Sequence, residues 1–313
     1  MGAMHNPREE YGKTLLELAL QDRNIIALDA DLCKSTMGYY IEKDLPQQHI
    51  ETGIAEQNMV ATAAGLAIEG KIPFVHTFAV FLTGRAYDQI RQAIAIAKLN
   101  VKIVGSSAGL SDFGDGATHQ SIEDISLMRS IPNMVVICPS DALQVRAALK
   151  KIYLYKGPVY LRLSRNDMED ISDKEEFEIG KVYIRKDGHD ITVAATGTMV
   201  SEALKAAKIL EEKNISVQVL DVPTIKPVNT GEFISLCRRT KAVVTAEEHS
   251  IIGGLGSTVA ETLRTERIPV EFLGIEDKFG QSCNDPEILL ENYGLTYKQL
   301  MKKIEAVLIH NKG

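Results

Sequence analysis

The chain has 313 residues, 45% of them apolar and 25% charged, with a formal net charge of −7. That length suits two ordinary α/β domains better than one core. An acidic balance without a basic stripe excludes the electrostatic footprint of a nucleic-acid binder, and no apolar run approaches the roughly 18 residues of a membrane-spanning helix. The N-terminus has no secretory h-region. The four cysteines, Cys33, Cys138, Cys237 and Cys283, are far apart and match no disulfide or zinc spacing. A reducing, cytoplasmic setting is therefore expected. Residues 1–5 read equally as a natural start or a cloning remnant and are given no place in the fold.

The first half alternates short β-branched runs with amphipathic stretches. Strands are predicted over 24–28, 49–52, 72–76, 101–105, 134–138 and 159–163, and helices over 8–21, 56–69, 85–99, 121–129 and 141–155. Several of the strands are continuously apolar, as strands buried on both faces are, so the alternation predicts a mainly parallel sheet covered by helices. Between 167 and 178 the chain carries seven acids and one lysine, which reads as an exposed linker. A second α/β set follows: strands near 190–195, 217–222, 241–246 and 270–275, and helices near 201–213, 254–264 and 296–309. The expected organisation is a first domain over 6–166, a linker over 167–186 and a smaller α/β domain over 187–313. In open sheets of this kind ligands sit at the carboxyl ends of the strands, so the loops there are where chemistry is sought.

Glu51-Thr52-Gly53-Ile54-Ala55-Glu56-Gln57-Asn58 lies where a strand gives way to a helix. Taken alone, Glu56 is an acid in a first helical turn, favoured by the helix dipole. The whole stretch resembles the glutamate motif of the pyrimidine-binding domain of transketolases and their thiamine-diphosphate relatives. That resemblance implies that Glu56 hydrogen-bonds N1′ of the aminopyrimidine and so activates the cofactor, work that needs a carboxyl group in a mostly apolar site. His76-Thr77-Phe78-Ala79-Val80-Phe81 follows the next strand. Two aromatics at this spacing ordinarily pack in a core; the match to the family's aromatic segment implies that Phe81 stacks on the pyrimidine, with Phe78 as a second wall. Tyr87 and Arg85 read as structural.

Gly114-Asp115-Gly116-Ala117-Thr118-His119-Gln120 begins like a diphosphate–magnesium motif, but no partner asparagine follows at the right distance. It is similar instead to the Asp-Gly-x-Thr-His segment of the transketolase pyrimidine domain, which implies that Asp115 and His119 face the bound sugar. The same likeness implies anion contacts from Arg8, Ser35 and Arg165, suited to guanidinium forks, and a cofactor contact from Asp31 across the subunit boundary. Two departures stand out. Ser107 occupies the place of a family histidine, and Gly114 that of a glutamate linking cofactor sites. The first loses a phosphate-facing donor, which points either to a different anionic tail on the sugar, such as a sulfonate, or to a rearranged phosphate site.

Ala195-Thr196-Gly197-Thr198 and Glu247-Glu248-His249-Ser250-Ile251-Ile252-Gly253-Gly254 resemble the C-terminal domain of the same superfamily. Glu247, Glu248 and His249 are too close together to converge as usual metal ligands, and no metal site is assigned to this chain. The resemblance spans nearly all of the sequence and corresponds to the second and third domains of a full transketolase. It implies a C-terminal subunit of a split transketolase that transfers a two-carbon glycolaldehyde unit from a ketose to an aldose. It also implies an N-terminal partner subunit carrying most of the thiamine diphosphate and its Mg2+ or Ca2+, in an α2β2 assembly. A 1-deoxyxylulose-5-phosphate synthase, a 2-oxo acid dehydrogenase β subunit and a non-catalytic regulatory homologue are the alternatives.

Overall fold

The computed structural model describes residues 3–172 and 176–310. Its strands, in chain order, are β1 (Met4–His5), β2 (Ile25–Asp29), β3 (His49–Glu51), β4 (Ile72–Phe78), β5 (Lys102–Ser106), β6 (Val135–Ile137), β7 (Val159–Arg162), β8 (Met168–Glu169), β9 (Tyr183–Lys186), β10 (Ile191–Ala195), β11 (Val217–Asp221), β12 (Thr224–Lys226), β13 (Val243–Ser250) and β14 (Val270–Ile275). The larger sheet runs β12-β6-β7-β5-β4-β2-β3 and the smaller β14-β13-β10-β11-β9. Both are parallel except at one edge, where β12 and β9 run antiparallel to their neighbours. The two-domain α/β architecture expected from the sequence is therefore present. Most of its inner strands are buried along their whole length: every residue of β2, β5, β7, β10 and β11 is buried.

Helix starts follow local chemistry. Asn6 caps the helix Pro7–Gln21 by accepting from the backbone N–H groups of Arg8 (3.1 Å) and Glu9 (3.3 Å), with proline in the first turn. Asp141 caps Ala142–Leu154 through the N–H of Gln144 at 2.7 Å. The stretch expected as one helix over 85–99 is instead broken: wide π turns at Phe81–Arg85 and Ile90–Ala95 flank a short α segment, Tyr87–Gln89. π turns interrupt helices most often at functional sites, and this one carries Phe81 and Arg85.

Three expectations change. Met4–His5, set aside in the sequence, pairs antiparallel with β8. The acidic stretch is not a free tether: the second oxygen of Asp141 holds the N–H groups of Ile171 (2.8 Å) and Ser172 (2.6 Å), and Phe177 is buried beside the Tyr11 and Leu15 core. Among the described residues of the stretch, Met168 and Phe177 are buried while Asp167 and Glu178 are exposed, a pattern that charge counting alone does not separate. β9 also falls in the expected linker, as an edge strand of the second sheet.

The two sheets are stitched together. β12, reached after β11 of the second sheet, returns to pair with β6 of the first. Lys226 then donates to the carbonyls of Arg129 (2.9 Å) and Ile131 (2.6 Å). Arg162, at the end of β7, is buried and donates to Asp124 Oδ2 (2.8 Å) and to the Glu248 carbonyl (2.9 Å). The Glu248 carboxylate in turn accepts from Leu110 N–H (2.7 Å) and from the Thr198 hydroxyl (3.1 Å). Replacing Glu248 by alanine orphans a buried N–H at this seam, and unsatisfied donors cost about 1–3 kcal/mol. The Glu248→Ala variant is expected to lose that much unfolding free energy, seen as a lower urea midpoint with little change in slope when measured by equilibrium unfolding.

Candidate functional site

Most of the residues singled out in the sequence stand at the carboxyl edge of the larger sheet. Asp31 and Ser35 follow β2, Glu56 follows β3, Phe78 ends β4 and Phe81 follows it, Ser107, Asp115 and His119 follow β5, and Arg165 follows β7. Arg8 reaches this edge from the first turn of its helix, donating to main chain on the loops after β2 and β7. Two side-chain groups form there.

The first surrounds Glu56, the opening residue of the helix Glu56–Ile68, which is only 1% exposed. Its turn is held from β2: Thr52 donates from both N–H and hydroxyl to the Asp29 carbonyl (3.0 and 2.8 Å). Glu51 Oε1 accepts from Gly53 N–H (2.7 Å) and Asp31 N–H (2.9 Å), joining the two loops. Gly53 and Asp31 both have positive φ, 70° and 60°, a conformation glycine adopts freely and aspartate tolerates better than most residues. Arg85 Nη1 donates to Glu56 Oε2 at 2.7 Å, and its guanidinium lies 4.9 Å over the Phe81 ring. Phe81 and Phe78 lie nearly parallel at 6.0 Å between centroids, and the His119 ring meets them edge-on at 5.3 and 6.2 Å. Glu56, Phe78, Phe81 and His119 are thus one contiguous wall. Arg85, read as structural from the sequence, is part of it; its spacing of four from Phe81 was the available signal.

The second group gathers three residues expected to act together. Arg8 donates to the carbonyls of Ser35 (2.7 Å) and Arg165 (3.1 Å). Ser35 therefore meets Arg8 through main chain, not through its hydroxyl. Arg165 Nη1 bonds Asp112 Oδ1 at 2.7 Å, and Asp115 Oδ2 stands 4.0 Å from the same nitrogen. Burial, followed by the neighbouring Arg165 charge, lowers the pKa of Arg8. Burial also raises that of Asp112, against the pull of Arg165 and with Asp115 adding to the rise. Asp112 was not singled out in the sequence, where it looked like one more loop acid. Ser107 is placed otherwise: it is buried at φ 54°, its hydroxyl has no partner among the described residues, and no hydrogen bond joins it to Arg8, Ser35 or Arg165.

The loop bearing Asp115 and His119 leans on the second domain. Cys283 N–H donates to the Phe113 carbonyl (2.7 Å), and Gln120 Nε2 donates to the Gln281 carbonyl (3.0 Å). Gly116 has φ 74° and no room for a Cβ against Ser282. Glu247, Glu248 and His249 serve separate partners. Glu247 caps the helix Leu255–Thr262 through two N–H groups (2.6 and 2.8 Å). His249, its pKa lowered to about 4 by burial, stays neutral and bonds the Ser250 carbonyl at 2.7 Å. Among the described residues no three His, Cys, Asp or Glu side chains converge to share an ion.

Beneath the loop after β2 lies a buried network. Asp29 Oδ2 is bonded by His76 Nε2 (2.6 Å) and His49 Nε2 (3.2 Å), and Asp29 Oδ1 accepts from the Thr36 hydroxyl (3.0 Å). Burial alone would raise the Asp29 pKa, but the His76 charge and the three hydrogen bonds hold it below the usual 3.8. Tyr11 closes the network on His76 Nδ1 at 3.2 Å.

Residues 5–170 match the family model of the transketolase pyrimidine binding domain, and residues 180–300 that of the transketolase C-terminal domain. A 6-deoxy-6-sulfo-D-fructose transketolase subunit, SqwH, from a Clostridium species is 43% identical over 305 residues, covering 97% of this chain and 94% of that one. An apulose-4-phosphate transketolase subunit from Phocaeicola vulgatus is 40% identical over 298 residues, covering 94% and 95%. A solved split-gene transketolase, described as an inactive β4 tetramer, superposes with a TM-score of 0.88 at 45% identity over 99% of both chains.

The Asp29 network supports the loop that carries Asp31 and Ser35, and its pH dependence has a definite sign. A folded pKa held below the unfolded value of about 3.8 gives stability that is present above that value and lost as the pH falls through the lower, folded one. Asp29→Asn is expected to cost about 3 kcal/mol near neutral pH, as loss of a buried ionic partner does. The difference from the parent chain should narrow as pH falls below 3.8. Urea midpoints across an acid titration measure both.

Proposed function

Because this chain belongs to the transketolase family, we propose that it is the C-terminal subunit of a split transketolase, lending Glu56 to a thiamine diphosphate held mainly by a partner subunit. The observation that carries this reading is the setting of Glu56. Its carboxylate is buried at the carboxyl edge of a parallel sheet beside a wall of parallel aromatic rings. Arg85 engages Oε2, and Oε1 has no hydrogen bond among the described residues. A flat aminopyrimidine fits those features: Phe81 and Phe78 supply stacking surface, worth about 0.5–1.5 kcal/mol beyond area burial, and Glu56 Oε1 supplies an acceptor for a ring nitrogen. When bound, thiamine diphosphate supplies the carbanion that cleaves a ketose beside its carbonyl and carries the two-carbon unit to an aldose.

The chain's own groups orient and balance charge. Glu56 holds the ring proton in a site that water barely reaches. Arg85 steadies the carboxylate by an ion pair that lies largely at the surface on its own side, with a side chain 49% exposed. His119, edge-on to both phenylalanines, stands where a hydroxyl or carbonyl oxygen of the sugar reaches it, and Asp115 offers an acceptor to a hydroxyl. Arg8 and Arg165, with Ser35, form the far end of the substrate site, and Asp31 lies by the Glu56 turn for a cofactor contact across the subunit boundary. The diphosphate and its Mg2+ or Ca2+ belong to an N-terminal partner, in an α2β2 assembly in a cytoplasmic setting. Support for a partner comes from the two relatives named as transketolase subunits.

The test is reconstitution with the partner subunit, followed by donor and acceptor assays. Glu56→Ala is expected to lower turnover by about 10²–10⁴-fold while the circular dichroism spectrum is unchanged. Near-normal rates in that variant, or carbon dioxide release from pyruvate in place of ketose cleavage, would overturn the reading.

A further inference from the structure

The group around Arg8 and Arg165 is charge-balanced before any ligand arrives. Arg165 Nη1 is bonded to Asp112 Oδ1 at 2.7 Å, and Asp115 Oδ2 lies 4.0 Å away. Glu9 and Asp167 also act on the Arg8 charge. Two guanidinium groups thus face at least as many carboxylates. Their donors are partly committed: both terminal nitrogens of Arg8 hold carbonyls and Arg165 Nη1 holds Asp112, while Arg8 Nε is buried without a partner among the described residues. A dianionic phosphate is bound best by forks free to donate in pairs. Here it would meet an Arg8 fork whose two terminal nitrogens each already hold a carbonyl, and the carboxylate of Asp112 on the Arg165 fork.

Asp112 is no flexible surface acid. The residue is 1% exposed, and its loop is fixed through its carbonyl, which accepts from Gly116 N–H (3.3 Å) and Gln120 Nε2 (3.2 Å). The Ser111 hydroxyl beside it accepts from Arg165 N–H at 3.1 Å, so acid and base are held from both sides. Its second oxygen, Oδ2, is buried with no partner among the described residues. An unpaired buried acceptor costs free energy and is satisfied by a hydroxyl, not by a phosphate oxygen.

We propose that Asp112 is a specificity-determining residue that sets the charge of the substrate's far end: the cradle of Arg8, Ser35 and Arg165 takes a sugar terminus bearing at most one negative charge in preference to a phosphate dianion. A sulfonate keeps one charge at every working pH and engages the exposed part of Arg165, while an uncharged hydroxymethyl end brings no charge against Asp112. The phosphate dianion adds a second charge against the carboxylates. This inference rests on the transketolase reading and names the substrate class within it.

The experiment compares three donors in the reconstituted complex at about pH 7.5, where phosphate is largely dianionic: a ketose 6-phosphate, its 6-deoxy-6-sulfo counterpart and the free ketose. The expected kcat/KM for the sulfonate exceeds that for the phosphate by about tenfold or more. In Asp112→Asn that ratio should shift toward phosphate by about tenfold, because one repelling charge is gone. Calorimetric binding of the phosphate and the sulfonate to the complex reads the same preference without turnover. A parent complex that favours the phosphate, or a folded Asp112→Asn complex with an unmoved ratio, overturns the proposal. If Asp112→Asn does not fold, the parent preference decides. If no ketose donor is turned over, the transketolase reading fails, and the binding preference still decides for or against the charge of the tail.

Discussion

The buried guanidinium of Arg162 is the interaction on which the rest of the architecture depends. It ends the inner strand β7, pairs with Asp124 and reaches the Glu248 carbonyl of the second sheet. Three residues beyond it is Arg165; two residues beyond Leu110, whose N–H is held by the Glu248 side chain, is Asp112. The seam between sheets therefore fixes both members of the Arg165–Asp112 pair. A buried charge of this kind is tolerated only when its donors are matched, and matching them ties the first domain to β13. The second domain is in this sense part of the site. It grips the loop from Phe113 to Gln120 as well, through Gln281 and Cys283.

On the other side of the sheet's carboxyl edge the constraint is Asp29. Its side chain is shared by two histidines and a threonine, and its carbonyl accepts twice from Thr52. One residue thus anchors the loop after β2 and the turn that presents Glu56. Gly38 is pressed against Asp29 and His76 with no space for a side chain. Rigid elements hold a reacting group to a tighter position than loops do, and Glu56 gains this from sitting in the first turn of a helix whose preceding loop is tied down at Asp29 and Glu51.

Much of the fold was legible because its strands are buried on both faces and read as unbroken apolar runs. The central strands and the helices capped at Asn6 and Asp141 were found to within a few residues, whereas the helices Thr230–Cys237 and Pro286–Asn292, capped at Asn229 and Asp285, were not. The strands that escaped are those whose signal is not local. β12 has three residues and owes its place to β6, contributed from across the domain seam; β9 is an edge strand inside a stretch dominated by charge; β1 exists only through β8. The broken helix after β4 kept the apolar spacing of a regular one, and the pattern carries no mark of a π turn. At the site, residue types in a spaced motif gave Glu56, Phe81 and His119, which the structure brings together. Arg85 and Asp112 were hidden because their meaning lies in partners far along the chain: Glu56 is 29 positions from Arg85, and Arg165 is 53 from Asp112. Ser107 is buried with an unpartnered hydroxyl, and its place in a motif says nothing of the direction in which such a hydroxyl points.

The two charge pairs behave alike in isolation and differ in what a ligand does to them. In each, a carboxylate almost without contact to water is matched by a guanidinium that retains it: the Glu56 side chain is 2% exposed against 49% for that of Arg85, and the Asp112 side chain 2% against 38% for that of Arg165. A half-solvated cation is partly screened, so each pair holds its acid in place without binding it as tightly as a dry pair would. A surface that covers Arg85 removes that screening and deepens the field around Glu56; a ligand that reaches Arg165 competes with Asp112 for it. The first change strengthens an existing contact, while the second divides one. If Glu56 activates the cofactor as proposed, that activation depends on what covers the site; if Arg165 meets the substrate as proposed, the choice depends on what charge the ligand brings to a cation already matched.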